Sequence, residues 1–187
     1  MTYLSPPSHA PTGGDCVREA FRLPRRLERG LAQAEASYAV ACALDRARPD
    51  DAPPDLPIVV AAGGYSAFGG NRFVARHDDP GIRMAPVDST ALEPSGILQA
   101  FIAMTGWAGP SHLITSDHDA QAQALAWARA TLALGHADTV LICEVTGVEP
   151  PDFGAVAATL WTSRQRAEAA RPSAACDHAR HAPPEAS

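Results

Sequence analysis

The sequence has little of what marks a metal, disulfide, membrane or nucleic-acid protein. Its four cysteines, Cys16, Cys42, Cys143 and Cys176, lie far apart and form no C-x-x-C pair. Such spacing gives neither a zinc site nor a disulfide framework, and it suits a reducing compartment. No apolar run approaches the roughly 18 residues a membrane span needs. The opening MTYLSPPSHAPTGGD has no apolar core of the signal-peptide kind. The expected location is therefore cytoplasmic. Basic charge is scarce as well: the formal net charge is -6, and arginines cluster only at Arg25, Arg26 and Arg29, a solvated helix start. An acidic chain with no basic stripe is a poor partner for nucleic acid or an anionic membrane. Neither G-x-G-x-x-G nor G-x-x-x-x-G-K occurs, so Gly63-Gly64 and Gly69-Gly70 read as turns, and no cofactor is implied.

What is present is a globular composition, 46% hydrophobic and 19% charged over 187 residues, enough for one domain with a core. Residues 1–17 are rich in Pro, Ser and Gly and are expected to be disordered. Residues 163–187, SRQRAEAARPSAACDHARHAPPEAS, carry almost no large apolar side chain and are expected to be a disordered tail. His178 and His181 in that tail bind metal at most adventitiously. The intervening 18–162 form the expected domain.

Within that domain helical and strand patterns alternate. Leu31 to Ala47 has helical spacing, and LPIVVAAGG, Leu56 to Gly64, is a short apolar run suited to a buried strand. Tyr65 to Glu93 reads as a long loop. A helix is expected from Pro94, closed by Gly106. Ser111 to Ser116 is a second strand, Asp119 to Leu134 an Ala-rich helix capped by Gly135, Thr139 to Val145 a third strand, and Gly154 to Trp161 a fourth. This order predicts an α/β fold with parallel strands. Alanine at 120, 122, 124, 126, 128, 130 and 133 makes the Asp119 helix small or apolar on nearly all sides, which predicts burial between layers. Cys143 is expected in the core. Trp107, Trp127 and Trp161 are expected to pack or to meet a partner, with Trp107 the most exposed.

The stretch GPSHLITSDHDAQAQALAWARATLALGHADTVLICEV, Gly109 to Val145, resembles the nucleophile region of β-ketoacyl synthases. Gly109-Pro110, the strand to Ser116, the Ala-rich helix, Gly135-His136-Ala137-Asp138 and the strand Val140 to Val145 all match. The likeness extends over roughly Leu27 to Trp161, the N-terminal half of such an enzyme. It implies a thiolase-like half-fold, with a mixed, mostly parallel sheet, a buried Ala-rich helix and flanking helices. In that family a cysteine nucleophile stands at the helix N-terminus. Free backbone N–H groups and the helix dipole there lower a thiol's pKa and can hold an oxyanion. Here Ser116-Asp117-His118 replaces the family's Thr-Ala-Cys, with His118 at the cysteine position. Asp117 and Asp119 suit a helix start as caps or dipole partners. His112 with Asp117, His118 and Asp119 makes a poor metal set, because three consecutive residues do not readily point at one ion. The family's first strand is not apparent in residues 1–26. Its catalytic histidines and lysine belong to a C-terminal half that this sequence does not contain.

The resemblance therefore implies no self-sufficient 3-oxoacyl synthase. It is similar to the cysteine-less chain-length-factor subunits of type II polyketide and aryl-polyene pathways, which pair with an active ketosynthase. The implied partner is such a ketosynthase, or a second copy, joined through strand 111–116 at an exposed sheet edge. Acyl carrier protein would be met only indirectly. Two other readings stay open: an acyl-thioester hydrolase or decarboxylase using His118 and Asp119, and a degenerate ketosynthase remnant.

Overall fold

The computed structural model describes residues 2–4, 8–10, 34–86, 89, 92–116, 118–147 and 154–162. Arg25, Arg26, Arg29, Cys16, Cys176, His178, His181, Asp117 and the tail 163–187 lie outside the described residues. The strands are β1 (Thr2–Leu4), β2 (Ser8–Ala10), β3 (Ile58–Ala61), β4 (Ser111–Ile114), β5 (Thr139–Thr146) and β6 (Gly154–Thr162). The helices are α1 (Ala34–Ala47), α2 (Gly63–His77), α3 (Gln99–Thr105) and α4 (Ala120–Ala133), with a 3-10 turn at Pro94–Leu98 leading into α3.

The six described strands form one mixed sheet in the order β1-β6-β5-β3-β4, with β2 also paired to β6. β3 is parallel to both β4 and β5. β6 runs antiparallel to β5, β1 and β2. Ile58, Val59, Val60 and Ala61 are all buried, which is why β3 reads as an unbroken apolar run: it is covered on both faces. The chain steps from β3 to β4 and then back across β3 to β5. Right-handed crossovers in opposite directions put their helices on opposite faces of the sheet. On one face Tyr38, Leu44, Tyr65, Ile97 and Phe101 pack on Ile58 and Val60. On the other, Ala124, Ala128 and Leu132 of α4 pack on Val59, Val140 and Leu160.

The caps follow their residues. Gly106 closes α3 at φ 67°. After α4, Gly135 at φ 71° donates to the Leu132 carbonyl and His136 to the Thr131 carbonyl, at 3.1 and 3.0 Å. That pair of bonds is the Schellman motif, and it accounts for the glycine of the Gly-x-Ala-Asp turn.

Four expectations need correction. The segment 1–17 is not without strands: β1 and β2 dock along successive halves of the outer edge of β6. Three-residue strands have no period to read and form only because an edge is there to receive them. The expected loop from Tyr65 contains α2, and Gly63, Gly64, Gly69 and Gly70 are helical rather than turn residues. Buried Tyr65 and Gly69 hold a helix that glycine's low propensity argues against. Helix α4 is buried along the stripe Ala124, Ala128 and Leu132 alone; Ala122, Ala126, Ala130 and Ala133 are exposed. The helix enclosed nearly all round is α1, buried from Ala36 to Leu44. Trp107, expected at the surface, is only 6% exposed, and its indole N–H donates to the Leu56 carbonyl at 2.8 Å.

Candidate functional site at the β4–α4 elbow

At the C-terminal ends of β3 and β4 the succeeding helices leave toward opposite faces. Open α/β sheets hold ligands at such a switch point. The N-terminus of α2 comes after β3 there, and the elbow Thr115 to Asp119 joins β4 to α4. The sequence match to a strand-to-helix elbow is therefore met in the structure, with His118 two residues before the helix.

The elbow is tightly turned. Asp119 has φ 55° and ψ 23°, the one left-handed non-glycine conformation among the described residues. Aspartate tolerates that region better than most side chains. Its carbonyl accepts the first helical bond, from Gln123 N–H at 2.9 Å. The carboxylate stands at the N-cap position but makes no side-chain capping bond, so the expected cap is positional only. His118 is exposed. Ser116 Oγ donates to the His118 carbonyl at 2.7 Å and accepts the His118 N–H at 3.3 Å. Gln123 Nε2 also donates to that carbonyl at 3.3 Å.

These bonds fix the backbone of His118 and leave its ring with no orienting partner among the described residues. A general base needs such a partner. Ser116 is no nucleophile in waiting, since its hydroxyl proton is directed to a carbonyl and not to an imidazole. His112 does not join the elbow. Its ring lies flat on Trp127, with centroids 5.0 Å apart and planes 6° apart. Among the described residues, no group of three or more His, Cys, Asp or Glu side chains is placed to hold a metal ion.

One contact at the site is not foreshadowed by any local pattern. Gln121 Nε2 donates to a Glu144 carboxylate oxygen at 2.7 Å, tying the first turn of α4 to the end of β5. The signal in the sequence is a lone charge in the apolar run TVLICEV. Cys143 beside it is buried, as expected. Burial, and secondarily the Glu144 charge, push its thiol well above the ordinary range, which disfavours the nucleophilic thiolate. The chain contains no lysine.

Two grooves lie at the opposite end of the sheet, where β3, β4 and β5 begin. One, of about 660 Å³, is bordered by Asp51, Asp55 and Asp138. The other, of about 340 Å³, lies between Pro110 and the C-terminal half of α4.

No protein-family model matches the chain, and no curated protein matches it in sequence. Solved structures do. The chain superposes over 86% of its length on 79% of a chain in the complex of a ketosynthase (ApeO) with its chain length factor (ApeC) from Xenorhabdus doucetiae, at 13% identity and a TM-score of 0.61. The two chains are thus comparable in length. It superposes over 90% of its length on 64% of a chain in AntDE:AntF, a type II polyketide acyl-carrier protein in complex with its ketosynthase, at 17% identity and a TM-score of 0.60. It covers 46% of a chain of the ishigamide ketosynthase/chain length factor, at 14% identity and a TM-score of 0.56. It therefore spans less than two thirds of the second of these chains and about half of the third. Among the described residues no helix is long and apolar enough to cross a membrane. These superpositions show that the chain shares the thiolase-like α/β fold of those ketosynthase and chain length factor structures.

Proposed function

We propose that this chain is a catalytically silent, ketosynthase-like subunit that pairs with an active ketosynthase in the assembly of acyl chains of the fatty acid or polyketide type. The contrast between the two sheet edges carries this reading. The edge at β6 is covered within the chain by β1 and β2. Among the described residues nothing covers the edge at β4. Ile58 N–H donates to the Pro110 carbonyl at 3.0 Å and Ala62 N–H to the Ile114 carbonyl at 2.8 Å. Residues alternate in direction along a strand, so Ser111 and Leu113 turn their N–H and carbonyl groups outward. An uncovered row of this kind is a template for another strand. Its occupant in this reading is the ketosynthase, and an acyl chain on acyl carrier protein is met through that partner. Likeness to a chain of comparable length in a ketosynthase complex supports the same assignment. The elbow supports silence: an imidazole with no orienting partner among the described residues stands at the position the resemblance gives to the cysteine.

Co-expression with candidate ketosynthases, followed by light scattering on the eluted species, tests the pairing. The wild type is expected to form a complex. Ser111→Pro should weaken it by at least about tenfold, because it removes one outward N–H and sets a ring against the incoming strand, while every bond to β3 remains. Undiminished complex formation by Ser111→Pro would remove the edge from the interface. For the chemistry, wild type and His118→Ala are compared on acyl thioesters. Equal background rates are expected; faster turnover by the wild type would replace the silent role with a hydrolase or decarboxylase.

A further inference from the structure

The groove of about 660 Å³, at the far end of the sheet from the elbow, has a floor and a rim of different chemistry. Thr139 of β5 and Trp161 of β6 stand directly opposite each other. Thr139 shares its face of the sheet with Leu141 and Cys143, which pack with α1. Trp161 shares its face with Thr159, whose hydroxyl donates to the Ala47 carbonyl at the end of α1. Both side chains therefore rise from the sheet on the α1 side, close together, and both line the groove. Trp161 is half-buried. Thr139 is only 9% exposed. Its hydroxyl has no hydrogen-bond partner among the described residues, and it is not sealed away from the groove. A buried hydroxyl left in that state is an unmet demand for a polar ligand atom.

The rim is acidic. Asp51, Asp55 and Asp138 border the groove and are exposed. Their carboxylates have no ion pair or hydrogen bond among the described residues. The walls include Pro53 and Pro57, which have no N–H to offer an anion. Arg48 is not part of the lining, and its guanidinium donates to the Ala52 carbonyl at 3.2 Å. Charge and donor supply thus select a cation. The three carboxylates do not converge on one point: among the described residues no three His, Cys, Asp or Glu side chains are placed to hold a metal ion. A cation that meets all three must be as spread out as they are. A linear polyamine has that form. Its methylene runs suit prolines and an indole face, its ammonium groups are drawn to the same face, and its N–H groups can donate to the carboxylates and to the Thr139 hydroxyl. The volume lies within the range of about 300–1,000 Å³ usual for small-molecule sites.

We propose that this groove binds a linear organic polyamine, held by Asp51, Asp55 and Asp138 at the rim and by Thr139 and Trp161 on the floor. The site is separate from the β4 edge and the elbow, and it stands or falls independently of the pairing read from them.

Spermidine, titrated calorimetrically into the full chain at low salt, tests the proposal. One molecule should bind per chain. The combined variant Asp51→Asn, Asp55→Asn, Asp138→Asn should bind at least about tenfold more weakly. Thr139→Val should lose about threefold, and Thr139→Ser, which keeps the hydroxyl, should stay near the wild type. Trp161→Leu should also lose about threefold. Glu144→Gln makes the same change of charge at the other end of β5 and should leave the affinity unaltered. Circular dichroism checks the fold of each variant. The three aspartates are exposed, so if Thr139→Val fails to fold, the asparagine variants and Glu144→Gln still decide. Absence of binding by the wild type overturns the proposal. So does a loss for Glu144→Gln equal to that for Asp55→Asn, or displacement of spermidine by magnesium at equal charge, since either result means that cations only gather around an acidic chain. A folded Thr139→Val variant that binds as tightly as the wild type overturns the assignment of the floor.

Discussion

Replacing Ser37 by alanine should destabilise the protein far more than the loss of one oxygen suggests. Ser37 sits in α1, fully buried. Its hydroxyl donates to the Ile97 carbonyl at 2.8 Å and accepts the Ala100 N–H at 3.2 Å. Ala100 is the second residue of α3, so its N–H is one of the donors a helix start leaves without an internal partner. Ser37 thus caps α3 from a distant part of the sequence, and it anchors the crossover that delivers the chain to β4. Ile97 and Ala100 are also fully buried. Water has no ready route to replace the hydroxyl. Each orphaned group costs about 1–2 kcal/mol, the lower part of the usual range, so Ser37→Ala should cost about 2–4 kcal/mol in total. With a urea slope of about 2 kcal/mol/M, the midpoint measured by circular dichroism should fall by roughly 1–2 M. A loss below about 1 kcal/mol at unchanged slope would refute the reasoning, because it would mean that neither group depends on Ser37.

Three further outcomes are expected. Gly109→Ala should cost about 1–3 kcal/mol, read by thermal unfolding, because a Cβ there would strike the Asp55 carbonyl and lie 2.8 Å from the Trp107 indole nitrogen. Asp119→Gly should leave stability unchanged or slightly raised, whereas Asp119→Val should lower it by about 1–2 kcal/mol, since only the former suits φ 55°. Cys143 should resist alkylation at pH 8 until the chain unfolds, as peptide mapping would report. Its folded thiol is raised by burial and then by Glu144, so its contribution is fully present below the unfolded thiol's pKa of roughly 8.5. It is lost as pH rises above that value, at about 1.4 kcal/mol per pH unit; a flat stability profile from pH 8 to 10 would contradict it.

The elbow is legible in the sequence because its parts are local. A strand of apolar residues, a helix of alanines and a glycine at 135 each have a short-range physical cause, and together they place His118 before α4. The Gly109-Pro110 pair is legible as a motif, but its reason is not: the clash is with Asp55, far away along the chain. Helix α2 escapes a local reading because four glycines outweigh its other residues, and only the burial of Tyr65 and Gly69 overrides them. Trp107 does so for the same reason, since its small neighbours give no hint of the Leu56 carbonyl that receives its indole. Gln121 and Glu144 meet only because β5 returns beside α4.

By itself, then, the sequence determined the order of the main strands and helices, the glycine-capped helix ends and the absence of a cysteine at the elbow, all of which depend on residues within a few positions of one another. The tertiary structure alone decided which helix is enclosed, which sheet edge is covered and which is open. Those depend on what the rest of the chain supplies as a second surface. One sheet gives α4 a single face to bury against, and β1 and β2 protect β6 while nothing among the described residues protects β4.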